Sequence, residues 1–129
     1  MSTIPESHVD LIEKSQIVVL GTNGRGGFPQ ITALWFLVED DAIKVSLNTA
    51  RQKTKNLVRD PNVTLFFMDP ANPYRTLEIR AVATVAPDPD YAFADKVGAK
   101  YGANLREMDA PGQSRVVVSF EPVQVNTFG

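Results

Sequence analysis

Apolar and polar positions alternate over most of this chain, and short stretches of helical period interrupt the alternation. Over 74–85, Leu77, Ile79, Ala81, Ala83 and Val85 fall on one face, with Glu78, Arg80, Val82 and Thr84 on the other; this is the pattern of a half-buried strand. The β-branched run 16–20 ends at Gly21, and the glycine-rich stretch 21–27 reads as a tight turn. Segments 29–39 and 42–47, joined at Asp40-Asp41, give the next two strands, and the three together predict an antiparallel meander. The dense apolar run 63–68 predicts another strand, and Val116, Val118 and Phe120 set the phase of a last one over 115–125. Pro70 and Pro73 make 69–73 a stiff loop.

Between the strands the period changes. Thr3 predicts the cap of a helix over 4–14, with Pro5 in its first turn and Val9, Leu11 and Ile12 apolar. Thr49 is the expected N-cap of a helix over 50–59 that Asp60-Pro61 stops. Asp88 is the expected cap of a third helix over 89–101, closed by Gly102, and 104–114 reads as loop. Six strands at close spacing with helices inserted predict a mainly β fold with α additions, a barrel or sandwich. No repeat or linker divides residues 1–129, so a single domain is expected.

The composition is that of a globular domain, with 43% apolar and 22% charged residues. A net charge of −2 argues against a nucleic-acid partner held by bulk electrostatics. The N-terminal residues lack a basic stretch followed by an apolar one, and no apolar run is long enough to span a bilayer, so a cytoplasmic, non-membrane protein is expected.

The chain offers few catalytic groups of its own. It has no cysteine and one histidine, which argues against thiol nucleophiles, histidine triads and zinc or copper sites; no metal site is expected. His8 reads as a solvated surface residue. The aspartates at 40, 41, 69, 88 and 90 sit where turns and caps account for them. Any hard chemistry therefore falls to a cofactor. In the segment Asn48-Thr-Ala-Arg-Gln-Lys-Thr-Lys-Asn56, Arg51, Lys53 and Lys55, followed by Arg59, make a helix cationic from its first turn, with no acid before Asp60. Cations there oppose the helix dipole. Either the face is simply solvated, or an anion docks on the first-turn amides, the Thr49 hydroxyl, Arg51 and Lys53. Trp35 is likewise either a packing residue or a flat wall beside a ring.

Three segments in order, Gly27-Phe-Pro-Gln-Ile-Thr-Ala-Leu-Trp-Phe36, then Asn48 to Pro61, then Asp69-Pro-Ala-Asn-Pro-Tyr-Arg-Thr-Leu-Glu-Ile-Arg80, resemble the pyridoxamine-phosphate-oxidase-like split-barrel superfamily. Within it they are most similar to the deazaflavin/flavin oxidoreductases of group B. The resemblance implies a six-stranded antiparallel split β-barrel that forms a homodimer, with two cofactor sites at the subunit interface. It implies that Arg51 and Lys53 hold the cofactor phosphate in a site that also takes in Asn48, Thr49, Gln52 and Lys55. It places Thr32, Ala33, Leu34 and Trp35 along the ring, and Tyr74, Arg75 and Thr76 in the site from the partner subunit. The further basic motif and the histidine-bearing motif of pyridoxamine phosphate oxidases proper have no match here, so vitamin B6 oxidation is not expected. Neutral Gln52 stands where FMN oxidases carry a second basic residue, and Lys55, Arg59 and Arg75 offer a path for an acidic tail. F420 is therefore expected over FMN, in a reductase that passes hydride to an unsaturated or conjugated small molecule. No catalytic acid or base is assigned, Tyr74 being the one nearby proton-donor candidate. An FMN-dependent oxidase or reductase and a non-catalytic flavin or deazaflavin carrier are the alternatives.

Overall fold

In the structure, a computed structural model that describes residues 3–129, the alternating segments join one antiparallel sheet. Its strands are β1 (Val18–Asn23), β2 (Pro29–Leu34), β3 (Leu37–Glu39), β4 (Ala42–Asn48), β5 (Asn62–Asp69), β6 (Asn72–Pro87) and β7 (Arg115–Phe128). Helices α1 (Asp10–Lys14), α2 (Gln52–Arg59) and α3 (Ala92–Tyr101) lie between them. The strand order is β2-β1-β5-β6-β7-β4-β3, curled into a half-barrel. Val18, Leu20, Val45, Leu65, Leu77, Ile79 and Val118 fill its inner face without exposure to solvent. Each such side chain contributes roughly 1.5–3 kcal/mol by leaving water.

The sheet has seven strands rather than the expected six, because the segment 29–39 breaks at Trp35-Phe36. Phe36 turns into the core and meets Phe67 edge-to-face at 5.4 Å. Its amide donates to the Tyr101 hydroxyl at 3.2 Å, and its carbonyl accepts from Lys100 Nζ at 2.8 Å. The C-terminal turn of α3 thus satisfies the backbone groups that leave the ladder. The break sends β3 to the far edge of the sheet, so the expected meander of the first strands does not form.

Other boundaries move for local reasons. β1 runs through Gly21 to Asn23, and the turn contracts to 24–28, where Gly26 and Gly27 take φ of 82° and 84°. The stiff loop contracts to a two-residue turn at Pro70-Ala71, because the Asp69 carboxylate accepts from the Ala71 amide at 2.9 Å. In β7 the ladder shifts between Pro122 and Gln124, which bulges Val123 outward beside a proline that has no N–H to donate. β7 itself continues past the expected end at 125 to Phe128. α3 starts at Ala92 rather than 89, yet Asp88 still caps it by accepting from the Phe93 and Ala94 amides at 3.2 and 3.0 Å. Gly102, at φ 67°, closes it as expected. The segment 104–114, expected as loop, contains a short 3-10 turn, Leu105–Met108.

The N-terminal reading needs two corrections. Thr3 caps nothing, and the helix is only Asp10–Lys14, preceded by turns. His8 is buried rather than solvated: Nε2 donates to the Phe128 carbonyl at 3.2 Å while Nδ1 accepts from the Ser7 hydroxyl at 2.8 Å. These bonds, with the Arg75 guanidinium on the Ser7 carbonyl, draw the segment onto the ends of β6 and β7 and prevent a continuous helix.

Candidate functional site

The cationic helix α2 begins without a side-chain cap. Its N-cap is Arg51 in extended conformation, because Thr49 is held elsewhere: its amide donates to the Ser114 carbonyl at 3.0 Å and its hydroxyl lies 2.9 Å from the Ser114 hydroxyl. Asn48 shapes the turn instead. Its Oδ1 accepts from the Ala50 amide at 2.8 Å, and its carbonyl accepts from the Arg51 amide and the Thr54 hydroxyl. The first turn therefore presents uncapped amides flanked by Arg51 and Lys53, neither of which pairs with an acid among the described residues. Half-buried Lys53 has its pKa lowered by desolvation and by the Arg51 charge. Two cations at the positive end of a helix destabilise one another and the helix until an anion docks there. Lys55 continues the exposed basic face. Gln52 donates to Asn56 at 2.8 Å, and Asn56 donates to Thr22 and Gln30, so Gln52 helps to fasten α2 to β1 and β2.

A second part of the site is a cavity of about 330 Å³ between the end of β2 and β4, roofed by α3 and the turn after it. Ala33 and Leu34 line it from β2, Trp35 from the break that follows, Ser46 from β4, Arg115 from β7, and Val97, Leu105 and Met108 from the roof. Trp35 stacks on Tyr101 with centroids 4.8 Å apart and planes 9° from parallel, which fixes a flat aromatic wall. The two parts meet across one ladder rung, since Arg115 pairs with Asn48 in register. Thr32, on β2 just before the lining residue Ala33, has a buried hydroxyl with no hydrogen-bond partner among the described residues. A basic, uncapped helix start beside an apolar cavity with an aromatic wall fits a phosphate-bearing planar cofactor.

The remaining expected residues lie elsewhere in the chain. Tyr74, Arg75 and Thr76 follow the β5–β6 hairpin, against the N-terminal segment. Arg75 is no free cation: it bonds Asp10 at 2.7 and 2.9 Å and Asp69 at 3.1 Å, and these carboxylates raise its pKa. Arg59 is likewise occupied, donating to the Asn23 carbonyl. No helix among the described residues is long and apolar enough to cross a membrane, and no group of three metal-ligating side chains occurs among them.

Residues 4–129 match the sequence family described as pyridoxamine 5'-phosphate oxidase. The chain belongs to this family. Solved members and neighbours share its fold. A protein named F420 reductase is 33% identical with a TM-score of 0.83, over 95% of this chain and 98% of that one. A putative pyridoxamine 5'-phosphate oxidase from Listeria innocua is 21% identical with a TM-score of 0.66, over 95% of each chain. The heme storage protein HutZ from Vibrio cholerae is 18% identical with a TM-score of 0.72, over 96% and 94%. Among curated proteins none matches. The pyridoxamine 5'-phosphate oxidase family binds flavin-type cofactors and includes oxidoreductases; with a heme storage protein on the same fold, the fold alone does not establish turnover.

Sequence reasoning missed Ser46, Tyr101, Met108, Asp109 and Arg115 of this family member. Asp109 lay in a stretch without periodicity, yet it is the most connected acid of the site. Burial pushes its pKa up, but hydrogen bonds from Arg115, Tyr91 and Asn48 outweigh burial and hold it at about 2. The folded carboxyl is thus more acidic than its ordinary value of 3.8, so its contribution to stability, on the order of 2 kcal/mol, is complete above about pH 4 and is lost as pH falls toward 2. Carboxyl NMR titration should find Asp109 still ionised at about pH 3. In Tyr91→Phe, which removes the 2.7 Å donor, its pKa should rise toward the ordinary value; an unchanged titration contradicts the assigned cause.

Proposed function

We propose that this protein is an F420-dependent reductase that works as a homodimer on an unsaturated or conjugated small molecule. The observation that carries the proposal is the pair Arg51 and Lys53 at an uncapped helix start, unpaired with any acid among the described residues. When bound, the reduced deazaflavin supplies the hydride. The chain's own residues bind and orient. Arg51, Lys53 and the first-turn amides hold the phosphate, and the Thr32 hydroxyl offers a hydrogen bond to a ring edge. Trp35, backed by Tyr101, presents a flat wall, and Ala33, Leu34 and Val97 exclude water. The proton comes from solvent or from Tyr74, which is 77% exposed in its own chain and free to meet a partner subunit.

Two features favour F420 over FMN. Gln52 is neutral and engaged with Asn56, which leaves the near-dianionic FMN phosphate one cation short. Lys55 extends the basic face toward an acidic tail, a screened contribution of only about 0.2–1 kcal/mol. In competitive titration F420 should bind tighter than FMN at low salt, with the gap narrowing at high salt. FMN binding tighter at both salt concentrations turns the assignment to an FMN oxidoreductase. Failure of the reduced, loaded protein to pass electrons to any conjugated acceptor turns it to a carrier.

A further inference from the structure

One buried carboxylate touches both ends of the site. Asp109 accepts from Asn48 Nδ2 at 2.9 Å, and Asn48 forms the turn that leads into α2. It also receives Arg115 in a two-pronged pair, Nε at 2.8 Å and Nη2 at 2.9 Å, while Arg115 Nη1 reaches the Ser46 hydroxyl at 3.3 Å on the cavity wall. The Tyr91 hydroxyl completes its shell at 2.7 Å. Asp109 and Arg115 side chains are 4% and 10% exposed, so the pair is rigid and little screened. Gln113, the other acceptor of the Asn48 amide, bonds back to the Ala110 amide and does not reach Arg115. The ladder joins Asn48 and Arg115 through their backbones, and among the described residues Asp109 alone bonds to both of their side chains.

We infer that Asp109 is a positioning residue that holds the phosphate turn and the ring cavity in one register, so that a ligand spans both without strain. The inference rests on the cofactor reading above. Its signature is selective. Losing the carboxylate leaves Arg51, Lys53, the aromatic wall and the Asn48–Arg115 ladder pair present but releases the Asn48 side chain, so the amides and cations after it shift relative to the cavity. The phosphate then adds less affinity to a ring already bound, because a misplacement of about 1 Å suffices to weaken an oriented contact.

The test compares each phosphate-bearing cofactor with its phosphate-free riboside: FMN with riboflavin, and F420 with the deazaflavin riboside lacking phosphate and tail. The parent should prefer the phosphate-bearing form by roughly a hundredfold, and in Asp109→Asn that ratio should fall by about tenfold or more, with riboside affinity changed by less than about threefold. Equal weakening of both forms, or an unchanged ratio, overturns the positioning role and leaves the cofactor reading intact. No phosphate preference in the parent overturns the cofactor reading itself, and this inference with it. Where Asp109→Asn does not fold, Asn48→Ala, which keeps the Asp109–Arg115 pair, must show the same selective loss; an unchanged ratio there overturns the inference.

Discussion

Replacing Arg51 and Lys53 together by alanine should weaken cofactor binding on the order of a hundredfold or more and leave the fold intact. Each charge-assisted hydrogen bond to phosphate contributes roughly 1.5–3 kcal/mol, so two of them span about two to four orders of magnitude in Kd. The unliganded protein has no reason to suffer. Neither side chain makes an ion pair among the described residues, and Lys53 is held half-buried beside a like charge. Cations in a first helical turn are unfavourable by about 0.3–1 kcal/mol each, so the ligand-free variant should melt at the parent's temperature or slightly above. Calorimetric titration and thermal melting read the two effects separately. An affinity within about threefold of the parent would show that the phosphate binds elsewhere.

A glutamate in place of Ile31 should dissociate the proposed dimer. β2 is an edge strand, and its outward face continues across β1, β5, β6 and β7 as a depression of about 760 Å³ lined by Val19, Ile31, Phe66 and Val123, with Glu78 and Arg80 among them. Ile31 is 66% exposed and Val123 70% exposed in the single chain, an apolar surface of the kind that marks an interface. A second copy covers it in our proposal, which also brings Tyr74 and Thr76 to the partner's site. Arg80 of the same depression already pairs with Glu78 at 3.4 Å, so a further carboxylate buried there lacks a cation of its own and costs several kcal/mol. Sedimentation at low micromolar concentration should find a dimeric parent and a monomeric Ile31→Glu, with cofactor affinity falling alongside. A parent that stays monomeric with cofactor bound defeats the dimer. Three neighbouring aromatics lie off this face: Phe36 and Phe67 are core, and Trp35 stacks within its own chain.

What could be read from the chain alone was whatever depends on neighbours a few residues away. The alternation at Leu77, Ile79, Ala81 and Ala83 appears as a strand with those residues buried, because period two is a property of the extended backbone itself. The acid-free basic stretch from Arg51 became the start of a helix, and Gly102 its neighbour's stop, since capping and dipole effects act within one turn. The rest was decided by groups far apart in sequence. The run from Ala33 to Val38 is apolar throughout and carries no mark of a break; Tyr101 and Lys100 impose it by satisfying Phe36's backbone from α3. His8 looks solvated until the Phe128 carbonyl accepts a hydrogen bond from its Nε2. Asp109 sits in an aperiodic stretch and acquires meaning only where the fold sets it against Asn48, Tyr91 and Arg115. Such contacts form when the sheet closes, and no spacing along the chain encodes them.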